Sequence, residues 1–204
     1  MRLPMNASSL LPALLTWAFL SATVAFAQSP GTGFGSLAPH LPASGQDDTW
    51  RFVNTGESFE IENIGNAGAI RYYFVAPTPG TEGKRKIEAT VSIHPESEGS
   101  AGLLYGLSDT RDLYHVVAID AQGLLTIFRR DGSGFRTMSQ QSSDAFSAEG
   151  MNHLILEESG DEITIFLNGT KMGSVGGDRF GFGGTGLAAV GDVRAFYTFF
   201  RDGS

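Results

Sequence analysis

The 204-residue chain carries 14 basic and 22 acidic side chains, a net charge of −8, with 41% hydrophobic residues, 27 glycines and no cysteine. The missing thiols exclude disulfides, thiolate metal sites, a cysteine nucleophile and a lipid-modified cysteine at a processed N-terminus. No basic run extends beyond Lys84-Arg85-Lys86 and Arg129-Arg130, so the charge pattern argues against nucleic acid as a partner.

The first feature in chain order is an almost continuously apolar stretch from Leu10 to Phe26, followed by Ala27-Gln28. Small residues at 25 and 27 fit an export peptidase, so residues 1–27 read as a signal peptide cleaved after Ala27. An uncleaved membrane anchor is the alternative for the same run. No other segment is apolar for the ~18 residues a span requires, so no membrane span is expected in the mature chain. An exported chain without cystine fits a bacterial periplasm or exterior. With no staples available, stability must come from the core, which a single domain of this size can supply.

Residues 28–48 are rich in Gly, Pro and Ser without periodicity and read as a flexible leader. The domain proper is expected over 49–204. Strands are predicted at 49–53, 57–62, 69–75, 85–93, 101–107, 113–120, 124–130, 135–139, 152–158, 162–167, 171–175, 185–190 and 194–200. Turn signals separate them, among them Asp120-Ala121-Gln122-Gly123, Asp131-Gly132-Ser133-Gly134 and Asn168-Gly169. An Asn-Gly pair favours a two-residue hairpin because both positions accept positive φ. Short strands at this spacing, with at most one helical turn in 140–150, predict an all-β protein of two packed antiparallel sheets.

Three stretches, AGLLYGLSDTRDLYHVVAIDAQGLLTIFRRDGSGF, NHLILEESGDEITIFLNGTKMGSV and TGLAAVGDVRAFYTFF, resemble the concanavalin A-like lectin/glucanase jelly rolls. That superfamily includes laminin-G-like domains and bacterial 3-keto-disaccharide hydrolase-type domains. The resemblance runs from Ala101 to Phe200 and rests on turn and core residues. It implies a jelly-roll sandwich and a carbohydrate or other envelope component as partner. It also implies calcium at loop carboxylates such as Asp109, Asp112 and Asp178, as in some relatives. No dense Asp-x-Asp-x-Asp spacing supports that ion, and His40, His94, His115 and His153 lack zinc spacing, so no cofactor is expected.

Laminarinase-type members carry E-[ILV]-D-x-x-E on a strand, where period-two spacing sets two carboxylates on one face for retaining hydrolysis. The motif is absent. Glu60 and Glu62 alternate correctly without a third acid, Glu157 and Glu162 flank a turn, and Gly132-Ser133-Gly134 lacks the spacing of a nucleophile elbow.

Register gives the candidate site. A turn at Asp120–Gly123 sets His115 opposite Arg129, and the loop Ser108 to Asp112 sets Tyr105 opposite His115. Tyr105, His115 and Arg129 then form one row on the face that carries Leu103, Val117 and Ile127. In one reading the row is a wet, ligand-facing patch, extended by Arg71 and Tyr73, with a stacking ring and donors suited to a sugar or small acid. In the other, Tyr105 and His115 are satisfied core residues and Arg129 snorkels at the edge. Phe180, Phe182, Phe196, Tyr197, Phe199 and Phe200 read as core on a central strand, and Trp50 as an end-closing core residue. Two functions follow: a non-catalytic exported glycan-binding module, or a glycan-processing hydrolase, which would need a buried carboxylate of raised pKa in the groove.

Overall fold

A computed structural model describes residues 33–176 and 183–203. The apolar leader, Asp178, Phe180 and Phe182 lie outside the described residues. Among the described residues the fold is all-β, and no helix is long and apolar enough to cross a membrane.

The strands in chain order are β1 (Gly45–Gln46), β2 (Trp50–Asn54), β3 (Phe59–Asn63), β4 (Ile70–Val75), β5 (Lys86–Ile93), β6 (Ser100–Leu107) and β7 (Tyr114–Asp120). There follow β8 (Leu124–Asp131), β9 (Gly134–Ser142), β10 (Asn152–Ser159), β11 (Glu162–Leu167), β12 (Thr170–Gly176), β13 (Gly184–Val190) and β14 (Arg194–Gly203). Each sequence-predicted range holds a strand, and β1 is an addition. An eight-stranded sheet runs β1-β2-β3-β14-β5-β10-β11-β12 and a six-stranded sheet runs β4-β13-β6-β7-β8-β9, every ladder antiparallel. Their facing sides bury the main core, including Trp50, Phe59, Ile87, Val91, Leu103, Val117, Leu154, Ile163 and Tyr197. Residues 143–151 hold hydrogen-bonded turns, the Phe146 N–H donating to the Ser143 carbonyl at 3.3 Å, but no helix.

The hairpins follow from local chemistry. Asn168 and Gly169 take φ of 50° and 80°, joining β11 to β12 with Leu167 opposite Thr170. The Asn168 amide also donates to the Ala145 carbonyl at 2.7 Å, and its oxygen accepts from the His153 N–H at 2.7 Å. The turn residue therefore ties down the loop before β10.

The leader differs from expectation. Gly33 bridges to Phe199, Gly35–His40 form a 3₁₀ turn, and Gly45–Gln46 pair with β2. Phe34, Leu37 and Leu41 are buried in the main core. Three large apolar side chains spread through a Gly/Pro stretch suffice to dock it, although they show no helix or strand period. Asp47 completes the attachment: its carboxylate accepts the Thr49 and Trp50 N–H groups and pairs with Arg71 at 2.5 Å.

The C-terminal aromatic cluster is partly corrected. β14 is central, and Tyr197 and Phe200 are buried among the core side chains. A register shift between Tyr197 and Phe199 places Tyr197 and Phe200 inward together. Phe196, on the other side of the strand, is 37% exposed.

Candidate functional site

The predicted row exists. Tyr105 pairs with His115 and His115 with Arg129. Gly123, with φ of 79°, closes the β7–β8 turn by donating its N–H to the Asp120 carbonyl at 3.2 Å. Its facing corrects the ligand-facing reading, because Tyr105 is wholly buried in the main core and His115 is 1% exposed. The row looks across the sandwich at the other sheet, with Tyr105 and His115 buried and Arg129 at its partly exposed end.

Charged groups from several segments surround the buried Tyr105. Arg85, 1% exposed, reaches Tyr105 with its guanidinium 5.7 Å from the ring centre. It donates to Asp202 at 2.5 Å, to the Gly183 carbonyl at 2.9 Å and to Thr185 at 3.2 Å. Burial first, then the adjacent Glu158 carboxylate, push the Tyr105 phenol up. Burial first, then the Arg129 charge, hold His115 down at about 4. Arg129 pairs with Asp131 at 2.9 Å, and Asp131 is held at about 2, chiefly by hydrogen bonds from Ser133. This is a structural network that satisfies charge inside a core.

Arg71 and Tyr73 do not join the row. Both lie on β4, where Arg71 serves Asp47 and covers the Phe52 ring at 5.6 Å, while Tyr73 packs edge-on against Phe52 and Phe59. Burial raises the Tyr73 phenol to about 12.

The outer face of the six-stranded sheet carries what the sequence reading missed. A second apolar cluster stands there, separate from the main core: Leu104, Leu107, Tyr114, Val116, Ala118 and Ala188, with Tyr72, Phe74, Phe128 and Phe135 against it. The rings form a continuous track. Centroid steps are 6.3 Å from Phe74 to Tyr72, 5.2 Å to Tyr114, 6.5 Å to Phe135 and 5.1 Å to Phe128. Tyr72 and Tyr114 belong to strands with β13 and β6 between them, hence backbones about 14 Å apart at ordinary strand spacing. Small residues, Gly102, Gly186 and Ala188, occupy the strands between them. The two glycines are required: a Cβ would come within 1.8 Å of the Tyr73 carbonyl at Gly186 and within 2.2 Å of the Val117 carbonyl at Gly102.

Polar groups border the track. Exposed Arg130 lies opposite Tyr114, and the Gln140 amide donates to Thr126 at 3.3 Å. Arg111 holds its guanidinium 5.1 Å from the Phe74 ring centre. Four half-buried rings around the buried Tyr114, with guanidinium, amide and hydroxyl groups at their margins, suit a ligand with one apolar face and many oxygens.

The sequence-selected acids lie elsewhere. Glu60 and Glu62, on the outer face of the large sheet, pair with Arg194 at 2.6 Å and Arg51 at 2.8 Å. Glu157 is 3.6 Å from Lys86, and Glu162 is lowered first by a hydrogen bond from Ser174. Asp112 accepts from Ser108 and Thr110, which hold it below the usual carboxylate range. Among the described residues no three His, Asp or Glu side chains gather as a metal site. A cleft of about 540 Å³ opens between the loop before β10 and the outer face of the large sheet, lined by Glu60, His94, Glu149, Arg194 and Phe196.

The two antiparallel sheets, with their order and packing, define a jelly-roll sandwich of the concanavalin A-like type. No family model and no curated protein matches the chain in sequence. Solved structures do match in fold. A carbohydrate-binding module, CBM66 from Bacillus subtilis, aligns at a TM-score of 0.60 and 16% identity, covering 78% of this chain and 92% of that one. A Bacillus subtilis protein of unknown function with a galectin-like fold aligns at 0.56 and 11%, over 76% and 86%. The xylan β-1,4-xylosidase from Bacillus halodurans C-125 aligns at 0.55 and 10%, over 79% of this chain but 38% of the enzyme.

Proposed function

We propose that the protein is an exported, non-catalytic module that binds a glycan on the outer face of its six-stranded sheet. The observation that carries this reading is the run of partly exposed Phe74, Tyr72, Phe135 and Phe128 linked through the buried Tyr114, outside the main core. Sugar rings present C–H faces that stack on aromatic rings, while their hydroxyls accept from arginine and amide groups. A track crossing the sheet extends roughly 20 Å at ordinary strand spacing, which suits an oligosaccharide better than one sugar. The carbohydrate-binding module of like fold supports the same ligand class, and the apolar leader supports export. In this reading Tyr105, His115 and Arg129 brace the strands behind the face and do not touch the sugar.

Hydrolysis is disfavoured by electrostatics. Among the described residues the carboxyls whose pKa is displaced, Asp47, Asp112, Asp131 and Glu162, move down, whereas a general acid must move up. Affinity electrophoresis on a panel of polysaccharides, paired with a reducing-sugar assay, tests the proposal. Retardation by at least one polysaccharide without sugar release is expected, and it should be lost in Tyr72→Ala and Phe128→Ala. Retardation untouched by both substitutions would remove the face from the account, and release of reducing sugar would establish the hydrolase.

A further inference from the structure

The arginines of the described residues divide into two groups. Arg51, Arg71, Arg85, Arg129, Arg136, Arg194 and Arg201 each pair with a carboxylate. Arg111 and Arg130 pair with no carboxylate among the described residues, although the chain has 22 acids for 14 bases. Both border the aromatic track, Arg111 over Phe74 at one end and Arg130 beside Tyr114 and Phe135 farther along it.

Arg111 is also conformationally set. Its φ is 59°, in the left-handed region where a β-carbon is disfavoured, within a loop whose Ser108 and Thr110 hydroxyls both bond to Asp112. The Arg111 N–H donates to the Ser108 carbonyl at 2.9 Å. The Asp112 carboxylate is thus occupied by hydroxyls, leaving the guanidinium directed over the ring. A planar, always-charged fork beside an aromatic floor matches a sugar that carries a carboxylate, because it accepts two parallel N–H bonds while the sugar ring stacks.

We infer that the aromatic face selects anionic saccharides, uronate-containing chains whose carboxylates are taken by Arg111 and Arg130. This rests on the saccharide reading of the same face and adds the charge of the ligand. The protein's net negative charge repels such chains at long range, so recognition depends on these two local cations and weakens with salt.

Isothermal titration of the folded domain with tetragalacturonate and with its carboxyl-reduced galactose counterpart tests the inference. The acidic form should bind at least tenfold more tightly at low salt, with the difference shrinking as salt rises. The double variant Arg111→Ala/Arg130→Ala should lose that difference and bind the two forms alike. Equal binding of the two forms by the wild type overturns the inference and leaves the saccharide face intact. Binding of neither form, with no polysaccharide retarded in the electrophoresis above, overturns the underlying reading instead. Should the double variant fold poorly, as judged by its thermal transition, the wild-type comparison alone decides.

Discussion

The hairpins β6–β7–β8 present two rows built from adjacent residues. Inward, Tyr105, His115 and Arg129 lie in register; outward, Leu104, Val116 and Phe128 do. The inward row buries Tyr105 and His115, with Arg85, just before β5, and charges from β8 and β14 beside it. The outward row belongs to a second apolar layer outside that core, Leu104 and Val116 buried and Phe128 partly exposed, and at its margin Arg111 and Arg130 pair with no carboxylate among the described residues. Polar residues inside the shell therefore report on stability, and apolar residues outside it report on binding. Substitutions on the two faces should separate those readouts.

The largest effect is expected at the inner network. Asp202→Ala strips Arg85 of its carboxylate in a site with 1% exposure, and removing one partner of a buried pair costs about 3–5 kcal/mol. Urea denaturation should show that loss. Next is acid sensitivity. His115 is held at about 4 in the fold against 6.5 for the free side chain, so between those pH values the unfolded chain binds a proton that the native state refuses. The His115 contribution to stability therefore falls as pH drops from 6.5 to about 4 and levels off below that, by on the order of 3 kcal/mol. His115→Gln should remove most of that slope. His153, also lowered chiefly by burial, leaves a remainder of the same sign.

On the outer face, Tyr72→Ala or Phe128→Ala should weaken oligosaccharide binding about tenfold, or ~1.4 kcal/mol, by titration calorimetry. The inner substitution Tyr105→Phe should leave the affinity unchanged. The smallest effect is at Arg129→Ala, which breaks a partly exposed pair with Asp131 and should cost below about 1 kcal/mol with no change in binding. A tenfold affinity loss from Arg129→Ala would reverse the assignment of the two faces.

These faces also mark where sequence reasoning succeeds and stops. Register was legible because turn residues fix it: Gly123 must take positive φ, and Asn168-Gly169 must turn in two residues. Facing was not legible. In YHVVAID and IRYYFV both alternations are largely apolar, so period two shows which residues share a side but not which side is dry. Tyr105 and His115 were consequently assignable to either side, while Tyr72, Phe74 and Tyr114 carried no sign of standing outside. The Arg85–Asp202 pair spans 117 positions with no local pattern to announce it. The leader escaped detection for a related reason, since Phe34, Leu37 and Leu41 dock singly. The fold itself was readable throughout, because turns and strand spacing are local properties.

The central claim is that ligand binds the outer aromatic track. Amide chemical-shift mapping during titration with an oligosaccharide that the protein retains tests it most directly. Shifts should concentrate at Tyr72, Phe74, Arg111, Tyr114, Phe128, Arg130 and Phe135. A map centred on the cleft of Glu60, His94, Arg194 and Phe196 would contradict it.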